Sequence, residues 1–196
     1  GQNLDFVLTT SGDAQIVGAP RLTLNIGGVV KYANYVEKLE QDKFLFRYTV
    51  DDGLNDPDGI TITGTNIGTG TIQDTAGNKL SINFTPRAIP SVLVDTTKPI
   101  IDNCTYPPAT TYCKNDTIQY VLAFNEDVII NTAGGAPYVN VTIGETVVKA
   151  YMATNTSATL LFKFTVLSDL VDTDGIEIGN QIILNGATIK DSAGND

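Results

Sequence analysis

The sequence of 196 residues contains no histidine. Histidine is the commonest general base in enzymes, so its absence excludes mechanisms of the Ser-His-Asp and Cys-His types. Zinc chemistry is disfavoured as well, because only two cysteines remain to ligate the metal. Closely spaced carboxylates do occur in DPDG and DTDG, but neighbouring turn residues do not face each other across a cleft, as glycoside hydrolysis requires. These absences argue against an enzyme.

Basic residues are scarce too. Twelve Lys and Arg stand against 22 Asp and Glu, which gives a formal net charge of −10. We therefore expect no nucleic acid partner, since phosphate backbones are bound by clustered cations. No run of about 18 apolar residues occurs, so we expect no membrane insertion. The acidic balance leaves carboxylates available for divalent cations.

What the sequence does contain is a long internal repeat. The matched blocks lie roughly 116 positions apart, so that Asp58 corresponds to Asp174 and Asp74 to Asp191. They are DFVLTTSGDA and QYVLAFNEDV, PRLTLNIG and PYVNVTIG, KFLFRYTV and TLLFKFTV, DPDGITI and DTDGIEI, and TIQDTAGN and TIKDSAGN. A period of this length exceeds one supersecondary unit, so each copy is expected to be a whole domain.

Within each copy, apolar residues alternate with polar ones in short runs separated by Gly, Asp, Asn and Pro. The alternating sets are Leu22, Leu24 and Ile26; Phe44, Phe46, Tyr48 and Val50; Ile118, Tyr120, Leu122 and Phe124; Val139, Val141 and Ile143; and Leu160, Phe162, Phe164 and Val166. This pattern predicts antiparallel strands with one buried face. We expect an all-β chain of two tandem immunoglobulin-like β-sandwich domains, elongated head to tail, covering residues 1–95 and 96–196. A single barrel would leave the repeat unexplained.

The two predicted domains are incomplete at opposite ends. The first copy begins at the position of the second strand and lacks the first strand, whereas the second copy stops at its final turn and lacks the last strand. Unpaired sheet edges are hazards that natural proteins avoid. We therefore expect this sequence to be an excerpt from a longer array of repeats.

The two cysteines, Cys104 and Cys113, lie close together in NCTYPPATTYC, in the second copy alone. Their spacing fits neither a redox motif nor a metal site, so we expect a local disulfide formed in an oxidising compartment. Tyr106 and Tyr112 lie between them, beside two prolines. They are the candidates for a rigid, exposed contact patch.

Acidic turn residues suggest a calcium site at the interdomain junction, since calcium prefers six to eight oxygen ligands. The candidate ligands are Asp56, Asp58, Asp95, Glu126, Asp127 and Asp191. The alternative is that Asp, Asn and Gly occupy these turns for their backbone geometry alone. No other cofactor is expected.

Five motifs together resemble the bacterial immunoglobulin-like repeats of large surface adhesins, the Big-type and cadherin-like repeats. They are VDTTKPI, FNEDV, the double-glycine turn after LTLNI, D-x-D-G-I and D-x-A-G-N. The resemblance implies an extracellular stalk or fibre. Glu126 of FNEDV is matched by Gly12, so a calcium site of the family is not expected in the first copy.

The expected function is therefore a non-catalytic stalk or tip segment of a bacterial surface protein, secreted or anchored at the cell surface. Its expected partners are neighbouring immunoglobulin-like repeats and a glycan or protein on a host or prey surface. The alternative is a module that binds a glycan or a protein through the loop between Cys104 and Cys113.

Overall fold

The computed structural model describes residues 1–66, 70–81 and 85–196 of the chain. In these residues the secondary structure is all β, without a helix, so none of the described segments is a helix able to span a bilayer. The chain divides into two compact units, Gly1–Thr97 (unit 1) and Lys98–Asp196 (unit 2). The boundary lies two residues beyond the one expected from the sequence.

Unit 1 is built on a large antiparallel sheet with two short strand pairs. Its strands are β1 (Asn3–Thr9), β2 (Ala14–Val17), β3 (Arg21–Ile26), β4 (Val29–Glu40), β5 (Lys43–Thr49), β6 (Asn55–Asp56), β7 (Ile60–Asn66), β8 (Thr71–Asp74), β9 (Arg87–Ile89) and β10 (Val94–Asp95). The large sheet has the order β1-β5-β4-β3-β7-β9, while β2 pairs with β8 and β6 with β10.

Unit 2 repeats this plan. Its strands are β11 (Ile101–Thr105), β12 (Thr117–Phe124), β13 (Ile129–Asn131), β14 (Tyr138–Ile143), β15 (Thr146–Asn155), β16 (Thr159–Thr165), β17 (Glu177–Ile178) and β18 (Thr188–Lys190). The large sheet has the order β11-β12-β16-β15-β14-β17, and β13 pairs with β18.

Each unit buries the apolar face that the alternating pattern predicts. In unit 1, Leu24, Ile26 and Phe44 lose all exposure to solvent, and Leu160 and Phe162 do so in unit 2. Side chains two positions apart on a strand point to the same side, so these runs supply one continuous inner face per sheet. Full burial of one such side chain contributes about 1.5–3 kcal/mol.

Several predicted strands match closely, whereas others differ. The sequence predicts strands at Tyr138–Ile143, at Thr188–Lys190 and over residues 176–184. The first two are β14 and β18, whereas the third is reduced to β17 and one isolated bridge from Tyr138 to Ile183. The pairings of β2 with β8 and of β13 with β18 were not predicted, since runs of three or four residues carry too little periodicity to show which strands pair. Part of the strand expected at LSINF, residues 82–84, lies outside the described residues.

The two large sheets end differently. Strand β12 is covered by β11, whereas β1, its counterpart in unit 1, forms the sheet edge within the described residues. At the opposite edge, β7 is covered by β9, whereas β17, its counterpart in unit 2, is the last strand of its sheet in the part of the chain described. Within the described residues, unit 1 therefore has the edge strand β9 and unit 2 the edge strand β11, and neither strand has a counterpart in the other unit.

Candidate functional site

The first aspartate of the D-x-D-G turn fastens two loops together in unit 1. Asp56 is only 2% exposed, and its two carboxylate oxygens accept hydrogen bonds from the Gly27 N–H at 2.7 Å and the Gly59 N–H at 2.8 Å. Gly27 belongs to the β3–β4 turn, so the carboxylate joins that turn to the start of β7. Hydrogen bonds to a buried charged acceptor are among the stronger ones in proteins.

Unit 2 contains the same connection. Asp172 accepts hydrogen bonds from the Gly144 N–H at 2.8 Å and the Gly175 N–H at 2.7 Å. These donors hold the pKa of Asp172 below the usual range of an aspartate, the Gly144 N–H having the largest effect. The matched aspartates therefore serve as internal clips in both units, and we name the pair Asp56 and Asp172 the aspartate clips.

The D-x-A-G-N turns repeat a second device. Asp74 accepts hydrogen bonds from the Ala76 and Asn78 N–H groups and from the Asn78 side chain. Asp191 does the same with the Gly194 and Asn195 N–H groups and the Asn195 side chain. The turn motif thus builds its own hydrogen-bond network in each copy.

Asp191 differs from Asp74 in its burial, since only 2% of Asp191 is exposed. Burial acts to raise the pKa of Asp191, but hydrogen bonds from the Asn195 side chain and from nearby backbone N–H groups outweigh it. The pKa of Asp191 therefore lies below the usual range. A carboxylate oxygen of Glu126 lies within 4.8 Å of a carboxylate oxygen of Asp191, so the turns that carry these two residues lie at the same end of unit 2.

The remaining calcium candidates lie in varied surroundings. Asp58 and Asp127 are exposed, whereas Asp95 is half-buried and accepts hydrogen bonds from the Thr97 N–H at 3.0 Å and the Thr97 hydroxyl at 2.8 Å. Asp56, Asp95 and Asp191 thus all have protein donors, as turn residues do without a metal. Calcium binding by the six candidates stays a prediction.

The disulfide predicted between Cys104 and Cys113 is wrong for this structure, in which both thiols are free. Cys104 lies opposite Leu122 in the β11–β12 pairing and packs against the core of unit 2. Cys113 is exposed and belongs to a tight turn, in which its N–H donates to the Asp116 carboxylate at 2.6 Å. The two side chains are thus held in different environments by their own neighbours.

The loop between the cysteines keeps one of its tyrosines outside and turns the other inward. Tyr106 is 67% exposed, as expected for a contact patch. Tyr112 packs against the core of unit 2, and its hydroxyl donates to the Pro108 carbonyl at 3.0 Å. The predicted patch is therefore reduced to Tyr106, because Tyr112 is used to hold the loop.

A cavity of about 620 Å³ lies beside this loop, within unit 2. It is lined by the core residues Ile118, Ile143 and Val166, by residues 106–112, and by most of residues 170–178. Pockets of roughly 300–1,000 Å³ are the usual size of ligand sites. The sequence did not predict the cavity, because it arises where distant segments meet.

No family model, curated protein or solved structure was found to match the chain.

Proposed function

We propose that this chain is a non-catalytic segment of an extracellular adhesin or fibre, in which immunoglobulin-like β-sandwiches follow one another along the polypeptide. The observation that carries the proposal is the duplicated aspartate clip. In both units the aspartate clip accepts hydrogen bonds from backbone N–H groups of its own unit, so its carboxylate stabilises the fold.

The fold supports the same function. Each unit contains a large antiparallel sheet over one apolar core, with short strand pairs beside it, as immunoglobulin-like sandwiches do. Two copies of one scaffold give length and mechanical resistance, which a stalk requires. Its natural partners are neighbouring repeats of the same kind.

Single-molecule pulling on the full chain tests this proposal. We expect two unfolding events, each releasing about 100 residues, or roughly 33–36 nm of chain at ~3.3–3.6 Å per residue. The Asp56→Ala variant should lower the force of one event and leave the other unchanged. Gradual extension without discrete events would contradict a role in bearing tension.

A second candidate function is binding of a glycan or a partner protein by the loop at residues 104–113. It is favoured by the exposure of Tyr106 beside the cavity. Glycan arrays and cell-binding assays with the Tyr106→Ala variant test it, with Tyr151→Ala as the matched control, since Tyr151 is also an exposed tyrosine of unit 2. Equal binding by both variants would exclude the loop.

A further inference from the structure

The outer face of the large sheet in unit 2 carries a row of four side chains, one from each of its four central strands. The residues before and after each of them are buried or pack against the core, so these four side chains point outward. At ~4.7–4.9 Å between neighbouring strands, the row is roughly 14–15 Å long. We name it the outer row, and it runs from β12 through β16 and β15 to β14 as Gln119, Lys163, Tyr151 and Tyr138.

The β14 end of the outer row is aromatic. The ring centres of Tyr138 and Tyr151 lie 5.4 Å apart, with 52° between the ring planes. The Lys149 ammonium lies 4.4 Å from the centre of the Tyr138 ring, and Lys149 itself pairs with Asn140 on the same face. Tyr151 keeps 45% of its surface exposed. This end of the row therefore offers an exposed, flat apolar surface beside polar groups.

The two lysines of this face have no acidic partner. Lys149 and Lys163 are exposed, and neither forms an ion pair with any residue that the structure describes. The strands that carry the outer row, β12, β14, β15 and β16, contain no aspartate and no glutamate. In a chain of net charge −10, the centre of this face is thus a place of positive charge.

The acidic residues around the face lie too far away to neutralise it. Asp102 on β11 and Glu177 on β17 lie opposite positions at least four residues along the strands from the outer row, or roughly 13 Å. That distance exceeds the Debye length of about 8 Å at physiological salt. Asp116, in the turn before β12, accepts a hydrogen bond from the Cys113 N–H at 2.6 Å. A ligand can therefore supply the negative charge that the sheet lacks.

Unit 1 neutralises the matched row within its own sheet. That row consists of Asp5, Arg47, Asn34 and Arg21. Asp5 accepts two hydrogen bonds from the Arg47 guanidinium, at 2.6 Å and 2.7 Å, so the cation has its carboxylate beside it. In unit 2 the counterpart of Arg47 is Lys163, but the counterpart of Asp5 is the neutral Gln119. Unit 2 therefore retains the cation without its carboxylate.

The exposure of this face does not depend on how the sheet edges are closed. Asn34 and Tyr151 occupy the same place in the two rows, and both are exposed. The large sheets of the two units differ at their edges, whereas both rows lie on the central strands. The outer face is thus exposed under either form of closure within the described residues.

We propose that the outer row of unit 2, together with Lys149, binds an anionic glycan. A sugar ring stacks on Tyr151, and the carboxylate or sulfate of the glycan pairs with Lys163 or Lys149. The amide groups of Gln119 and Asn140 are donors and acceptors for sugar hydroxyls. This inference goes beyond the fibre function proposed above, which requires no ligand.

Charge complementarity gives the sign of the ligand, and the mixture of side chains gives its class. A protein partner is disfavoured, because the centre of a protein interface is depleted in charged residues, whereas two lysines occupy the centre of this face. Nucleic acids are disfavoured too, since binding to phosphate backbones draws on larger clusters of cations. Rings, amides and separate ammonium groups suit a ligand with apolar ring faces, hydroxyls and isolated negative charges.

Titration of the full chain, labelled with ¹⁵N, with 3′-sialyllactose, 3′-sulfolactose and lactose tests the proposal by NMR. We expect saturable shifts of the backbone amides at residues 119, 149, 151 and 163, with a dissociation constant of ~1 mM for at least one charged sugar. Lactose should bind at least about 10-fold more weakly. The two charged sugars distinguish a carboxylate from a sulfate. Added salt should weaken binding of the charged sugars, because exposed lysines are screened.

Variants at Lys163 test the role of the charge. Gln119→Asp copies the arrangement of unit 1 and gives Lys163 a carboxylate partner, so binding of the charged sugar should weaken at least about 5-fold. Lys163→Gln should have an effect of the same size. Lys114→Gln makes the same change in net charge at an exposed position of a turn in unit 2, and should leave binding unchanged.

A variant at Tyr151 tests the role of the ring. Tyr151→Ala should weaken binding of the charged sugar at least about 10-fold, because the stacking surface is lost. Tyr106→Ala should leave it unchanged, since Tyr106 belongs to the loop between the cysteines. The two variants thus exchange the roles that they have in the test of that loop. Thermal melting of each variant shows that it is folded.

No binding of either charged sugar up to about 10 mM, or equal binding of lactose, would overturn the proposal. Shifts confined to residues 104–113 would also overturn it, since they would place the ligand at the loop, and so would unchanged affinity in Gln119→Asp. Any of these results, with two normal unfolding events under force, would reject the outer row as a site and leave the fibre function standing.

Discussion

The two units share their turns and differ in how their cores are closed. Both contain the aspartate clip. Both also place a cationic side chain beside an aromatic ring at matched positions, but the position that carries the cation in one unit carries the ring in the other. In unit 1 the Arg21 guanidinium lies 4.3 Å from the Tyr32 ring centre, and in unit 2 the Lys149 ammonium lies 4.4 Å from that of Tyr138. This contact between neighbouring strands is thus preserved in both units even though the residues change.

The closure of each core depends on residues outside the repeated blocks. Unit 1 is closed at the β7 edge by β9 and by the segment that leads to β10, whereas unit 2 is closed at the opposite edge by β11. Within the described residues, the two units thus share their hairpins and turns and differ at the edges of their large sheets. Substitutions at matched positions should therefore have unequal effects in the two units.

The largest difference is expected at the matched glycines Gly59 and Gly175. Both have positive φ, +99° and +110°, so alanine strains either by about 1–2 kcal/mol. Gly59→Ala also forces a β-carbon into the backbone of Ile89 and Pro90, and should destabilise unit 1 by about 2 kcal/mol more than Gly175→Ala destabilises unit 2. Amide hydrogen exchange under denaturant measures each unit separately. Equal losses would contradict this difference in the space around the two glycines.

The aspartate clips should rank next. Asp56→Ala removes the buried carboxylate that accepts hydrogen bonds from the N–H groups of Gly27 and Gly59. Because both N–H groups then lose their acceptor, we expect unit 1 to lose about 3 kcal/mol of unfolding free energy. Asp172→Ala should cost unit 2 less, because water reaches its half-buried site and replaces the carboxylate. Chemical denaturation followed by exchange at each unit checks this order, and a larger loss in unit 2 would reverse the comparison.

These expectations also show what the sequence can and cannot predict. The alternation of apolar and polar residues around Leu24 and Phe162 predicts strands, because every second side chain of a strand faces the core. D-x-D-G predicts a turn, because aspartate and glycine favour the backbone conformations of turns. The β13–β18 pair has too few residues to show a period. The cavity of unit 2 is lined by segments far apart in the sequence, among them residues in the ranges 106–112 and 170–178, a long-range relation that no local pattern expresses.

Acidic pH should reduce the stabilising effect of the two D-x-A-G-N turns to different extents. The pKa of Asp191 is lowered in the folded chain, so its contribution to stability is complete above the unfolded pKa of about 3.9 and is lost as pH falls through the lower folded value. Asp191→Asn places an amide against the Asn195 amide and should cost about 1–3 kcal/mol at neutral pH. It should also make unit 2 less sensitive to pH below about 4.

Asp74→Asn is the matched control in unit 1. Because Asp74 is more exposed, its replacement should cost less, although hydrogen bonds from Asn78 lower its pKa in the same direction. Denaturation midpoints measured between about pH 3 and 7 show both effects. An unchanged acid response of unit 2 in Asp191→Asn would contradict the assigned network.

The smallest effect is expected at Tyr120, whose counterpart in unit 1 is Phe6. The Tyr120 hydroxyl is buried and has no hydrogen-bond partner among the residues that the structure describes, although its ring stacks on Phe162 with 5.2 Å between the ring centres. Tyr120→Phe removes an unsatisfied polar group and should leave unit 2 unchanged or up to about 1 kcal/mol more stable. Thermal melting measures this, and a clear loss of stability would show that the hydroxyl has a partner.

The stability of the Tyr120→Phe variant at alkaline pH provides a second test of the buried hydroxyl. Burial raises the pKa of Tyr120, with a smaller contribution from Cys104, so the folded chain keeps the phenol neutral. Its contribution to stability is complete below the unfolded pKa of about 10 and is lost as pH rises toward the higher folded value. Tyr120→Phe should therefore reduce the alkaline sensitivity of unit 2.

Amide hydrogen exchange of the unmodified chain compares the two closures most directly. Residues 54–62 of unit 1 lie beneath the segment that leads from β9 to β10, so their slowest amides should exchange only on unfolding of the unit. The matched residues 170–178 should exchange faster by at least about 10-fold. Equal protection of the two segments would contradict the central claim, that unit 1 covers this edge of its core whereas unit 2, within the described residues, leaves it open to solvent.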